Sequence, residues 1–284
     1  AGRPVLGANG KLAHACIGVG GMMGFGDLQN FAGNKRCEVV AICDVDAQHL
    51  EKAATVAPGA RRCVDWREML AKEADKIDSI NITVPDHMHA AMACSALKAG
   101  KHVYCQKPLT HDVYEARALT EIAKKAKRVT QLGTQYASGM GDRMAVQLLR
   151  TGAIGKVRKC VLCSNRPGAI AAYRLKGPRP AQTQQPPRHV NWDLWLGTAP
   201  DRPYASKHYH PVVWRSWQDF GTGWLGDIGC HIFDAVWKGL SLTAPKTVVA
   251  RVQESWEKDP ARRADTWPQS AAVTWIFPGN ELTD

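Results

Sequence analysis

No apolar run in the 284-residue chain approaches the ~20 residues a membrane-spanning helix needs, so no membrane span is expected. There is no run of five or more basic residues either, although the formal net charge is +11. Scattered lysines and arginines do not make a nucleic-acid-binding segment. They suit a basic surface that meets an anionic small molecule. No internal repeat and no signal-peptide pattern is visible in these residues, and residues 1–11 are expected to be a flexible lead-in, as processing could leave. A disulfide framework is also excluded. The nine cysteines are odd in number, and several lie within apolar, strand-like runs, as buried free thiols do. Cys160 and Cys163 have metal-like spacing, but on a strand positions three apart face opposite ways. Reduced cysteines fit the cytoplasm, and a protein exported after folding would keep the same trace. What is present is ordinary: 45% hydrophobic and 22% charged residues, enough chain for a sizeable core shared by two domains.

The most informative stretch runs from Leu12 to Asp46. An apolar run, Ala15-Cys16-Ile17, leads into Gly18, Gly20, Gly21 and Gly24, then a helix-length segment, then Val39–Cys43 and Asp44. This is the order strand, turn, helix, strand, acid. Glycines allow a sharp turn close to a pyrophosphate, and the first N–H groups of the helix face its charge. An acid ending the second strand accepts hydrogen bonds from the adenosine ribose and repels the 2′-phosphate of NADP, so NAD is the expected cofactor. The spacing departs from G-x-G-x-x-G at one place: Met23 follows Met22 where the third glycine is expected, and Gly24 comes one residue late.

The next residues keep alternating. Helices are expected at 47–57, 66–72 (capped by Asp65), 86–100 (closed by Gly100) and 114–127, and strands at 62–64, 77–84, 102–105 and 129–132. Such alternation argues a doubly wound parallel sheet whose ligands sit beyond the carboxyl ends of the strands. Asp44, Val84-Pro85-Asp86-His87 and Gln106-Lys107-Pro108 all lie at such ends. The texture then changes: a helix at 140–151, a strand at 156–165, a long loop at 166–189, a helix from about 220 to 240, and strands at 246–254 and 270–277. Nine of the ten tryptophans lie at or after Trp192, as a pocket wall, a subunit interface or an aromatic core would place them.

Several of these residues could do chemistry. Lys107 ends a strand, where an ammonium can steady negative charge on a substrate oxygen. Asp227 and His231 are four apart and share a helix face, so the carboxylate can orient a histidine that takes a hydroxyl proton. Asp86, His87 and His89 could reach the nicotinamide half of a cofactor or the substrate, and Asp86 could cap its helix. Asp227 and His231 with His208 or His210 would be a thin metal set with no acid or cysteine cluster behind it, so no metal is expected.

Together these motifs resemble the glucose–fructose oxidoreductase / inositol dehydrogenase / MocA (Gfo/Idh/MocA) family over almost the whole chain, from about Lys11 to Phe277. The carriers are Gly18-Val-Gly20-Gly21, Asp44, Thr83-Val-Pro85-Asp86-His87-Met-His89, Gln106-Lys107-Pro108 and Asp227-Ile-Gly229-Cys-His231. The resemblance implies an N-terminal Rossmann domain (12–134) and a C-terminal α/β domain (135–284) with an open, mostly antiparallel sheet, here with fewer strands than the family has. It implies NAD as cofactor, held by Gly18, Gly20, Gly21, Met22, Met23, Asp44, Thr83, Pro85, His87, Gln106 and Lys107. Lys107, Asp227 and His231 take the catalytic roles. His89, Tyr204, Arg215 and Trp224 are softer substrate candidates. Gln106 stands where the family has glutamate, which removes a negative charge beside Lys107. Some motifs look like a bacterial branch often found with export signals, so cytoplasm and periplasm both stay open.

The implied activity is hydride transfer between a sugar, polyol or derivative and nicotinamide. One alternative is glycoside hydrolysis through transient oxidation by held NAD; another is a family member that binds NAD without turnover. The implied partners are a carbohydrate-like small molecule and further copies of the chain, as a homodimer or homotetramer.

Overall fold

A computed structural model describes residues 10–164 and 177–284. The chain divides into two compact units, one comprising Ala1–Gly133 with Pro180–Trp214, the other Thr134–Arg179 with Arg215–Asp284. Residues 180–214 thus belong with the first unit, a return of the chain that the expected boundary at 134 does not include.

The first unit is built on β1 (Leu12–Ile17), β2 (Cys37–Cys43), β3 (Arg61–Cys63), β4 (Ser79–Ile82), β5 (His102–Gln106) and β6 (Thr130–Gly133). They form one sheet in the order β3-β2-β1-β4-β5-β6, parallel throughout. This is the doubly wound dinucleotide-fold order, with its switch point between β1 and β4. The helices between them are α1 (Gly21–Ala32), α2 (Ala47–Ala54), α3 (Trp66–Glu73), α4 (Asp86–Lys98) and α5 (Val113–Ala126).

The two faces of the sheet are covered separately. Ala15 and Ile17 of β1 join Ala41, Ile80, Ile82, Met92 and Leu97 on one side. Cys16 between them joins Ile42, Leu28, Leu50 and Ala53 on the other. The alternation is the period of two along a strand, and burial of both faces is why these strands read as unbroken apolar runs.

The helix signals are used largely as the sequence writes them. Asp46 and Asp65 accept from the N–H groups of Gln48 and Arg67 at the starts of α2 and α3. Asp112 and Glu115 form a capping box on α5. Gly100, at φ +75°, follows the end of α4. One expectation is corrected: Pro85 takes the cap position of α4, so Asp86 is its first helical residue and not its cap. Pro85 cannot continue a helix backward, which fixes the boundary there.

In the first unit, Pro180–Trp214 carries α7 (Trp192–Leu196). Trp192 stacks on Trp195 at 4.6 Å and meets Tyr204 edge-on at 5.2 Å. These aromatics form core, and Tyr204 is only 8% exposed.

The second unit contains α6 (Met140–Arg150), α8 (Gly223–Gly239), β7 (Thr247–Val252), the short helices α9 (Glu254–Glu257) and α10 (Pro260–Asp265), and β8 (Ala271–Ile276). β7 and β8 pair antiparallel in a two-stranded sheet. The expected strand at 156–165 is corrected: Val157 makes one bridge to Thr283, and no strand follows through residue 164. Its alternation is strand-like, but a ladder also needs a partner along its length. Cys160 and Cys163 are exposed there, off any strand. Asn165 and the first part of the long-loop stretch, residues 166–176, lie outside the described residues. No helix among the described residues is long and apolar enough to cross a membrane.

Candidate dinucleotide site

The turn after β1 is set by close contact with the loop after β4. Gly18 has φ +78°, and a Cβ there would lie 2.2 Å from the Thr83 carbonyl oxygen, so only glycine fits. The slipped third glycine also finds its reason. A Cβ on Gly24 would lie 2.4 Å from the Gly18 carbonyl, so Gly24 provides the close approach of helix to strand. Met23 is half-buried on the same helix.

The backbone donors of the turn converge on Asp44. Its Oδ2 accepts from the Val19 and Gly20 N–H groups, each at 3.0 Å, and its Oδ1 accepts from Asp46 N–H at 3.0 Å. α1 begins at Gly21 with no side-chain cap and no acid in its first turn. An uncapped helix start with no carboxylate of its own is suited to an anion. An acid one residue past β2 is suited to ribose hydroxyls. The residues present therefore fit a dinucleotide.

A buried polar network joins the ends of β4 and β5, and the sequence gives little sign of its centre. Asp27, on α1 and 8% exposed, accepts from the Thr83 hydroxyl at 2.8 Å and the Gln106 amide at 2.9 Å. Asn81 donates to Thr83 Oγ1 at 3.0 Å and meets His14 Nε2 at 3.1 Å through its carbonyl. His14 also bonds Ser79 Oγ at 2.7 Å, and burial lowers its pKa to about 4. Gln106 is thus explained locally. Its amide donates to a buried carboxylate, where glutamate would set two carboxylates face to face.

His89 has no exposed surface; its ring nitrogens lie 2.6 Å from the Pro108 carbonyl and 2.9 Å from the Val84 carbonyl. Burial lowers its basicity, but Cys105 and the two carbonyl acceptors outweigh it and raise the pKa. His89 clamps the loop after β4 to the loop after β5, which makes it a positioning group. His87 is also buried, with Nε2 3.1 Å from the Leu196 carbonyl and 3.2 Å from that of Trp195. Its ring holds α7. Lys107 is half-buried between these anchored residues and Pro108.

In the second unit, α8 carries both Asp227 and His231. Asp227 is 7% exposed, and Arg215 Nε lies 3.7 Å from its Oδ2. Tyr136 meets the His231 ring edge-on at 5.4 Å, a neighbour that no local sequence pattern announces. Trp224 is half-buried on the same helix.

A second group of side chains, absent from the sequence reading, gathers beside Asp44. Asp46 is 3% exposed, with His189 Nδ1 2.9 Å from its Oδ1 and His210 Nε2 3.2 Å from its Oδ2. His49 turns Nε2 toward Asp46 Oδ2 at 3.9 Å and Nδ1 toward Asp44 Oδ1 at 3.4 Å. Burial alone would raise the Asp46 pKa, but the histidines and the Gln48 N–H outweigh it and lower it. The hydrogen bond to Asp44 raises that of His49, and burial lowers that of His210. The His49 ring also lies against the turn, 1.9 Å from where a Gly20 Cβ would be.

The parallel sheet, its switch-point glycine turn and the acid beyond β2 define a dinucleotide-fold protein. Comparison with known sequences makes this specific. Residues 12–134 match the NAD-binding Rossmann fold of the GFO_IDH_MocA oxidoreductase family, and residues 143–267 match that family's C-terminal α/β domain. The chain belongs to the Gfo/Idh/MocA oxidoreductase family. It is 31% identical over 171 residues to levoglucosan dehydrogenase of Pseudarthrobacter phenanthrenivorans, covering 60% of this chain and 34% of that protein. It is 28% identical over 150 residues to glycosyl hydrolase family 109 protein 1 of a Shewanella species, covering 50% of this chain and 32% of that protein. The alignments thus span about a third of those relatives. The crystal structure of an oxidoreductase domain protein from Kribbella flavida shares the fold, with a TM-score of 0.64 at 24% identity, covering 94% of this chain and 64% of that one.

Proposed function

We propose that the protein is an NAD-dependent oxidoreductase that moves a hydride between a sugar, polyol or derivative and nicotinamide. The observation that carries the reading is Asp44, whose carboxylate stands at the glycine turn against the Val19 and Gly20 N–H groups. Gly18, Gly20, Gly21 and the start of α1 would hold the pyrophosphate, and Asp44 the adenosine ribose. The same acid disfavours a 2′-phosphate and so favours NAD over NADP. Bound nicotinamide supplies the hydride acceptor.

The chain's own residues supply the rest. Lys107, fixed by its neighbours Gln106 and Pro108, steadies the substrate oxygen as negative charge grows on it. His231 accepts the hydroxyl proton, and Asp227 orients it or holds a neighbouring hydroxyl. Arg215, with Nε 3.7 Å from Asp227 Oδ2, helps hold that carboxylate in place. His89 holds the two loops that flank Lys107.

The test is a panel of anhydrosugars, inositols and glycosides with NAD+, followed by NADH absorbance and by chromatography of released sugar. NADH formation lost in Lys107→Ala and His231→Ala supports the dehydrogenase. Free sugar without net NADH would favour the glycosidase chemistry named in the Shewanella relative. NAD binding with neither product overturns both.

A further inference from the structure

We propose that Asp46, His49 and His210 form a binding site for a first-row divalent transition metal, with Zn2+ the ion their chemistry suits best. The three ligand atoms lie within 4.8 Å of one another. Zinc bonds to histidine nitrogen and carboxylate oxygen are about 2.0–2.2 Å and its geometry is tetrahedral, so ligands of one ion lie about 3.4 Å apart. Closing the set draws ligand atoms together by up to about 1.4 Å, within the reach of side-chain rotation.

Four observations support the assignment. First, the donors are two imidazole nitrogens and one carboxylate oxygen, the type of set that takes zinc, nickel or iron and leaves magnesium and calcium aside. Second, the ligands are held by ordered elements. Asp46 caps α2 and His49 lies on α2. The segment that brings His210 is fixed to the same place by backbone bonds, Ala47 N–H to the His189 carbonyl at 2.8 Å and Asn191 N–H to the Val45 carbonyl at 2.9 Å. Third, the outer partners of a metal site are in place. Asp44 faces the other ring nitrogen of His49 at 3.4 Å, and His189 holds the other oxygen of Asp46 at 2.9 Å. A carboxylate behind a ligating histidine is the usual arrangement around zinc. Fourth, the group is sheltered, with side-chain exposures of 5% for Asp46, 13% for His210 and 24% for His49. Metal binding would displace the proton that His210 Nε2 donates to Asp46 Oδ2.

The ion would act as a clip. It would join the start of α2 to the returning segment that carries α7, within the first unit. The proposal does not depend on the cofactor reading, because its ligands exclude Asp44 and the glycine turn.

The test is a Co2+ titration of the full chain. A site of nitrogen and oxygen donors gives weak visible bands, whereas cysteine ligation adds a strong near-ultraviolet charge-transfer band. The expected result is one Co2+ per chain with the visible bands alone, displaced by Zn2+ and unaffected in a Cys160→Ser/Cys163→Ser variant. Loss of an outer partner typically weakens a metal about 10–100-fold, so His210→Ala and Asp46→Asn, which remove ligands, should weaken it by at least ~100-fold and Asp44→Asn by less. A readout without mutation is carbethoxylation of the wild-type protein: Zn2+ should protect His49 and His210 while leaving the half-buried His208, which lies outside the ligand set, as reactive as before. No stoichiometric binding, a thiolate band, affinity unchanged in His210→Ala, or no selective protection would each overturn the proposal.

Discussion

The two units handle burial in opposite ways. In the first, β4 is buried at all four positions, and the polar groups among the apolar ones, His14, Asp27, Asn81, Thr83 and Gln106, bond one another. In the second, most residues of β7 and β8 are exposed, among them Val248 at 54%, Val249 at 58% and Ile276 at 55%. The first unit therefore draws its stability from two closed cores and a polar network that must stay satisfied. The two-stranded sheet of the second draws little from burial within the chain. Substitutions of one chemical kind should accordingly have very different effects in the two places.

The largest effect is expected from truncating the closed core. Ile80→Ala, at a residue with no exposed surface, should cost about 2–5 kcal/mol in denaturant unfolding. A cost below 1 kcal/mol would mean the sheet core is not closed as described.

A comparable effect should come from acid. His14 has a pKa near 4 in the folded protein against 6.5 unfolded. The unfolded chain therefore takes up the proton first. The contribution of a neutral His14 is fully present above pH 6.5 and is lost as pH falls from there toward 4. At about 1.4 kcal/mol per unit the loss reaches about 3 kcal/mol. Urea unfolding at pH 7, 5.5 and 4 should show this slope in the wild type and a shallower one in His14→Gln. Equal slopes would remove His14 from the account.

The polar network should show coupling. Gln106→Glu should cost about 1–3 kcal/mol by facing Asp27 with a second carboxylate. Adding Asp27→Asn should recover part of that, with a coupling of at least 0.5 kcal/mol in the double-mutant cycle. Simple additivity would break the network reading. The smallest effect belongs to the second unit: Val249→Ala should change stability by less than about 0.5 kcal/mol. A cost like that of Ile80→Ala would show that β7 is covered in solution and erase the contrast.

The sequence made the first unit legible because punctuation and periodicity agree there. Apolar runs end at Gly18, Asp44, Pro85 and Lys107, and each falls at a carboxyl end of the sheet. The late glycine is informative in both directions: the spacing flagged Met23, and the structure shows Gly24 doing the packing. Residues 156–164 alternate like a strand yet make a single bridge, at Val157, because pairing depends on a partner far along the chain. The histidine cluster was illegible for the same reason, since His189 and His210 lie 143 and 164 residues from Asp46. Asp27 looked like any polar residue on a helix, and only the fold places it between β4 and β5.

The central claim is that Asp44 and the glycine turn hold NAD. It is tested most directly by calorimetric titration of NADH and NADPH into the wild-type protein and Asp44→Asn. Hydrogen bonds to a charged group are worth about 1.5–3 kcal/mol, so the variant should bind NADH about 10–100-fold more weakly, with the preference over NADPH reduced. Equal binding of the two cofactors by the wild type, or NADH affinity unchanged in Asp44→Asn, would contradict the account.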